Sequence, residues 1–108
     1  MDKKRVREEV IKIVKKLKER NKLDKVILFG SFARGDFGKH SDVDIMAISK
    51  KFNGIEKLKR SPKLYYDIHN NLKLKFDVDI VCYTHEEFNN LRDKSILIKG
   101  VIEQGIEV

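Results

Sequence analysis

The sequence predicts an α/β (α+β) chain, with a small mixed β-sheet and helices packed on it. Three observations carry this expectation. Amphipathic stretches of helical period alternate with short apolar runs. Those runs are the length of strands rather than of buried helices, and turn-forming residues or acids bound them. The 108 residues match the length of one domain, expected to span 1–108, with no room for a second substrate-binding domain.

The elements follow in chain order. Residues 3–20 predict an amphipathic helix, because Val6, Val10, Ile13, Val14 and Leu17 recur at helical spacing among Lys, Arg and Glu. Asp2 suits its N-cap and Asn21 its end. Lys25–Phe29 is a short β-branched apolar run and predicts a buried strand. Gly30–Arg34 predicts a tight turn opening a very short helix. A polar loop containing Gly35, Asp36, Gly38, His40 and Ser41 follows. Asp42–Ile48 alternates acid and apolar residues before turning wholly apolar, which predicts a second strand.

Lys51–Asn53 is expected to be a loop. Gly54–Arg60 and Pro62–Leu72 are expected to be helical, with a break where Ser61 suits an N-cap and Pro62 a first helical position. Leu74–Tyr83 predicts a third strand, with Asp77 and Asp79 on one face by the two-residue period. Thr84 and Glu87 have the spacing of a capping box and open a short helix to about Leu91. Asp93–Gln104 predicts a last helix with Ile96, Leu97, Val101 and Ile102 as its apolar side, closed by Gly105. Ile106–Val108 is expected to be a terminal strand.

Composition narrows the class. Lys plus Arg number 24 against 17 Asp plus Glu, a net charge of +7. Such a balance favours polyanionic partners (nucleic acid, nucleotides, an acidic protein), and it equally fits a solvated basic surface. Aromatic residues at 8% are too few to argue for a single-strand stacking platform. The single cysteine, Cys82, forms no internal disulfide and is expected to pack as a small hydrophobe, in keeping with a reducing cytoplasm. Met-Asp-Lys-Lys-Arg-Val leads into no apolar signal core, and no run approaches the ~20 residues of a membrane span. A soluble, cytoplasmic protein with no membrane association is expected. His40, His69 and His85 are too scattered for a zinc site, and no cysteine pairs with them.

The chemistry concentrates between Gly30 and Asp44. Gly30 ends a strand and, lacking Cβ, leaves its backbone open to close approach. Ser31 adds a hydroxyl where a helix begins and backbone N–H groups favour phosphate. Arg34, about one turn further, reaches the same anion. Asp42 and Asp44 lie two residues apart on a strand and so point to one place. Two such carboxylates repel unless a cation lies between them, and hard oxygen ligands favour Mg²⁺ or Mn²⁺. Asp79, flanked by Val78 and Ile80 on another strand, is costly to bury unpaired. A shared metal site resolves that cost on both strands. Three carboxylates can hold two ions ~3.5–4 Å apart, as attack on a triphosphate requires. Taken singly, each residue has an ordinary structural role: a turn, a strand-end cap, a sheet-edge acid.

Gly30-Ser31-Phe32-Ala33-Arg34-Gly35 through Ser41-Asp42-Val43-Asp44-Ile45 resembles the signature of the DNA polymerase beta-like nucleotidyltransferases. It looks most like their minimal branch, often called MNT. Val78-Asp79-Ile80-Val81 is similar to the family's third-acid strand, and Ile98-Lys99-Gly100-Val101-Ile102-Glu103-Gln104-Gly105 to its last helix. The resemblance covers nearly the whole chain from Lys25 onward.

It implies a mixed sheet, Gly30 and Ser31 holding the triphosphate of ATP or another NTP, and Asp42, Asp44 and Asp79 on Mg²⁺. Arg34 and Lys39 are further nucleotide-binding expectations, Lys39 because its charge in the motif loop suits a triphosphate. Asp79 is preferred to Asp77 because the acid-then-apolar run matches the pattern better. Minimal members often pair with an all-helical HEPN protein as toxin and antitoxin, in some cases adding AMP to it. The expected function is therefore transfer of a nucleoside monophosphate, AMP from ATP, to such a partner. The alternative is a catalytically inactive module that neutralises a HEPN protein by contact. A homo-oligomer is compatible with either, and direct nucleic-acid binding rests on the +7 charge alone.

Overall fold

The computed structural model describes residues 2–108. Helix α1 spans Lys3–Arg20, and Asp2 caps it by accepting the Arg5 N–H. Strand β1 spans Lys25–Phe29, helix α2 Gly30–Arg34 and strand β2 Val43–Ile48. Two 3₁₀ turns at Lys50–Phe52 and Lys57–Lys59 lead to α3 (Pro62–Tyr66), which passes directly into a π-helical turn, Asp67–Asn71. Strand β3 (Val78–Tyr83), helices α4 (His85–Lys94) and α5 (Ile96–Gln104), and a two-residue strand β4 (Ile106–Glu107) complete the chain.

The sheet order is β3-β2-β1-β4. β1 runs antiparallel to both β2 and β4, while β2 and β3 are parallel, so the sheet is mixed as the sequence predicts. Strand alternation sorts the core into two layers. Val26, Leu28, Val43, Ile45, Ala47, Ile80 and Cys82 share one cluster with Val10, Val14 and Leu17 of α1 and with Leu64 and Ile68. Ile27, Met46 and Ile48 share the other with Phe88 of α4 and Ile98 and Val101 of α5. The sheet is thus covered by α1 and α3 on one side and by α4 and α5 on the other.

Several expectations shift. The third strand begins at Val78 rather than Leu74. Ahead of the ladder, the Val43 N–H donates to the Asp77 carbonyl at 2.8 Å. Asp77 therefore precedes the ladder instead of sharing a strand face with Asp79. The second strand begins at Val43, one residue after Asp42. Gly54–Arg60 holds a single 3₁₀ turn in place of a helix, and Ser61 precedes α3 without a capping side-chain bond. The closing helix is split, because Ser95 is extended and accepts the Ile98 N–H as a new N-cap. The Thr84–Glu87 capping box forms as predicted, and its helix runs on to Lys94.

The outer edge of β3 is closed by side chains rather than by another strand. Tyr65 Oη accepts the Ile80 N–H at 2.9 Å, and Arg60 Nη1 donates to the Cys82 carbonyl at 3.2 Å. Arg60, within the basic stretch 57–63, is buried and pairs with Glu87 at 2.6 Å. Such coverage discourages pairing with another chain. Cys82 packs as a buried hydrophobe, and burial pushes its thiol up to about 11. No helix among the described residues is long and apolar enough to cross a membrane.

Candidate functional site

On the α4–α5 side of the sheet, the rows of inward side chains change character along the strands. In β2 the row runs Ile48, Met46, Asp44, and in β3 it runs Tyr83, Val81, Asp79. Where α4 and α5 stop covering the sheet, both rows turn acidic. Asp44 and Asp79 are direct register partners across the parallel ladder, so their side chains leave the same face of adjacent strands. Asp42, just ahead of β2, is exposed, as is Asp79.

The charges feel one another. Burial pushes the Asp44 carboxyl up from its ordinary value, and the negative charges of Asp79 and Asp42 push it further. Arg34 is the one cation that opposes them. None of the three carboxylates accepts a hydrogen bond or forms an ion pair among the described residues. As a donor set, three clustered, unpartnered carboxylates fit a hard divalent cation. Their side chains do not converge into a closed cage, since no trio of His, Cys, Asp or Glu among the described residues stands ready to hold a metal.

Gly30 fits against Asp44. Its φ of +73° lies in the left-handed region, and a Cβ built there would collide with Asp44 Oδ2. Position 30 therefore favours glycine, both for its backbone and for the Asp44 carboxylate where it stands. The same bend starts α2, whose first turn carries no side-chain cap. Its N–H groups and the half-buried Ser31 stand at the acidic end of the sheet. The far end of α2 is anchored by α1. Arg7 Nε and Nη2 donate to the Phe32 and Ala33 carbonyls at 2.9 and 2.7 Å, meeting acceptors that a helix C-terminus leaves open.

A cleft of about 460 Å³ opens beside these groups. Phe29, Gly30, Arg34 and Asp44 form one wall, and Leu97, Gly100 and Gln104 of α5 face them. Arg34 is exposed and shared with Asp36 at 3.2 Å. Lys39 is not brought into this cleft and lines a separate depression with Lys75 and Asp77.

The α5 wall was not legible as a site. The sequence predicts Ile96, Leu97, Val101 and Ile102 as the core side, yet Ile96 and Leu97 are 90% and 74% exposed, and Ile98 joins Val101 in the core. With Ser95 as N-cap and the helix beginning at Ile96, Leu97 and Gln104 rim the cleft. The signal available in sequence was the Ile96-Leu97-Ile98 run, in which one helix cannot bury all three side chains on one side.

The nucleotidyltransferase domain family matches residues 10–103. Two relatives come from Methanocaldococcus jannaschii. "Putative protein adenylyltransferase MJ0141" is 33% identical over 93% of this chain and 99% of its own length. "Putative protein adenylyltransferase MJ0604" is 33% identical over 83% and 82%. Among solved structures, a toxin-antitoxin with AMP-PNP aligns with a TM-score of 0.59 at 28% identity, over 89% of this chain and 69% of that one. A structure from Sulfolobus solfataricus described as a "putative nucleotidyltransferase" shares the fold, with a TM-score of 0.59 at 20% identity over 97% and 80%. The resemblance carried by Gly30-Ser31 and the aspartates and the match over 10–103 agree: this chain belongs to the nucleotidyltransferase domain family, a family of transferase enzymes.

Proposed function

We propose that this protein is a metal-dependent nucleotidyltransferase that moves AMP from ATP onto a partner protein, as the antitoxin half of a pair with an all-helical HEPN protein. The observation that carries the reading is the in-register pair Asp44–Asp79, with Gly30 packed on Asp44 at the mouth of the cleft. The relatives named as protein adenylyltransferases and the toxin-antitoxin neighbour solved with AMP-PNP support the nucleotide and the kind of acceptor. On this reading the whole chain, 1–108, is one minimal transferase domain working in the cytoplasm, and the partner supplies the acceptor surface.

The residues divide the work. Asp42, Asp44 and Asp79 would hold Mg²⁺ or Mn²⁺, which when bound offsets the triphosphate's charge and acidifies an attacking hydroxyl. Gly30 and Ser31 present N–H groups and a hydroxyl to the phosphates. Arg34 leaves Asp36 to meet the same anion, whereas Lys39 lines a separate depression. Asp79, the exposed member of the pair, accepts the proton of the attacking hydroxyl. The bond from the acceptor oxygen to the α-phosphorus forms as the bond from that phosphorus to the bridging oxygen breaks, and pyrophosphate leaves.

Calorimetric titration of ATP with and without Mg²⁺, on the wild type and on Asp42→Asn/Asp44→Asn, tests this, together with transfer of α-labelled AMP to a co-expressed HEPN partner. Binding and transfer that need both the metal and the acids are expected. Normal transfer by the double variant would sink the mechanism. In the competing reading, a catalytically inactive domain neutralises its partner by contact. Neutralisation undiminished in the double variant would favour that reading.

A further inference from the structure

A second concave site lies at the opposite end of β1 and β2. It has a volume of about 440 Å³ and is lined by Lys22, Lys50, Lys51 and Lys63 together with Arg20 and Asp24. From Asp24 to Gly30 is six strand steps, roughly 20 Å at the usual rise, so the pocket and the transfer cleft are separate. Arg20 is committed to Asp67 at 2.8 Å. Asp24 already accepts the Lys50 N–H at 2.8 Å and lies 2.9 Å from His85 Nε2. Among the described residues the four lysines have no carboxylate within ion-pairing distance.

One of the lysines is also held in place. Lys51 Nζ donates to the Asn21 carbonyl at 2.7 Å, which fixes the side chain without cancelling its charge. Lys22 has a φ of +52°, a left-handed conformation where glycine or asparagine would be cheaper. Burial lowers the affinity of Lys51 for its proton, and the charges of Lys63 and Lys22 lower it further, so these cations crowd one another. Crowded, unpaired cations around a concavity are stabilised by an anion of high charge density. No aromatic side chain lines the pocket, so it offers phosphate contacts without base stacking.

We infer that this lysine pocket is a second ligand site, separate from the transfer cleft, that binds phosphate groups of an oligophosphate, whether carried by a nucleic-acid backbone or free in solution.

The test uses tripolyphosphate by calorimetry and a labelled single-stranded 12-nucleotide RNA by anisotropy, both in EDTA. The pocket variant is Lys22→Asn/Lys50→Gln/Lys63→Gln, with Asn at 22 because it tolerates positive φ. A control of equal charge, Lys12→Gln/Lys16→Gln/Lys99→Gln, removes exposed lysines elsewhere. The pocket variant is expected to bind at least about tenfold more weakly, and its slope of log K against log salt for RNA is expected to fall by about 2 for three lost contacts. The control keeps wild-type binding, Asp42→Asn/Asp44→Asn does not weaken it, and Lys50→Arg/Lys63→Arg retains it. Binding of tripolyphosphate alone identifies a free oligophosphate as the source, and RNA binding alone identifies the backbone. Equal loss in the control, loss in the aspartate variant, equal competition by poly-glutamate, or no binding of either probe overturns the site.

Discussion

Gly30 and Asp44 interlock: the aspartate's carboxylate packs on the glycine's Cα, and a Cβ at position 30 would collide with Asp44 Oδ2. Gly30→Ala must therefore rotate Asp44 away or shift the start of α2, in addition to straining a φ of +73°. A cost of about 1–3 kcal/mol in stability is expected, read by denaturant unfolding. ATP binding should be lost at temperatures where the variant is still folded. Wild-type affinity in a folded Gly30→Ala protein would show that the carboxylate position is not needed.

Asp44 itself stores instability. Its folded-state carboxyl is raised by burial first, then by Asp79 and Asp42. Below its ordinary value of 3.8 the group is protonated in folded and unfolded chains alike. As pH rises through the raised value, the unfolded chain releases the proton more readily, and stability falls. At neutral pH, in chelator, the ionised group opposes folding. Asp44→Asn should then melt at a higher temperature than wild type at pH 7 and lose that advantage below pH 3.8. Melting curves across pH check this. A lower melting temperature at pH 7 would count against it. Stability gained on losing Asp44 is the trade that its proposed role in the site predicts.

Asp67 behaves in the opposite sense. It is buried in the π-helical turn, where Arg20 grips it with Nε and Nη2 and Asn21 and Asn71 donate to it at 2.9 and 2.6 Å. These donors, Arg20 foremost, hold its carboxyl down at about 2. Its contribution is full above the unfolded value of 3.8 and disappears as pH falls toward 2. Asp67→Asn should cost about 1–3 kcal/mol at pH 7, or roughly 4–8 °C in Tm per kcal/mol for a chain this small. The acid limb of its stability curve should flatten between pH 4 and 2. An unchanged acid limb would exclude Asp67 as its source.

Local signals carried far in this sequence. The 3.6-residue spacing from Val6 to Leu17 marks α1 to its end residues, Asp2 caps it, and Thr84 and Glu87 form the box their spacing announces. Gly30-Ser31 and the acid alternation place one end of the site, because strand period and a glycine's missing Cβ act over a few residues. What depends on distant parts of the chain was hidden. Nothing local says that Arg7 will hold α2, that Arg60 and Tyr65 will close the β3 edge, or that Arg20 and Asn21 will converge on Asp67. The β3 start was misplaced because Leu74 and Phe76 are apolar for contacts other than sheet pairing: both belong to the α1-side core. Lys39 lies in the motif loop, where its charge suits a triphosphate, yet it lines another depression.

The rotation of α5 gives the last prediction. Ile98 and Val101 are 3% and 6% exposed against Ile27, Met46 and Ile48, whereas Ile96 and Leu97 stand in solvent, with Leu97 on the rim of the cleft. Truncation should separate the two pairs. Ile98→Ala should cost about 2–4 kcal/mol, because it removes buried methyl groups and leaves a cavity. Ile96→Ala/Leu97→Ala should leave stability within about 0.5 kcal/mol, as surface changes do. If the cleft receives the nucleotide or the partner's acceptor segment, the same double variant should weaken that binding by about tenfold, the scale of one lost apolar contact surface. Unfolding curves and ATP or partner titrations on the two variants check both halves. A large stability loss in Ile96→Ala/Leu97→Ala would return the helix to the register its sequence first suggests. Intact stability with intact binding would leave the register standing and remove the α5 wall from the site.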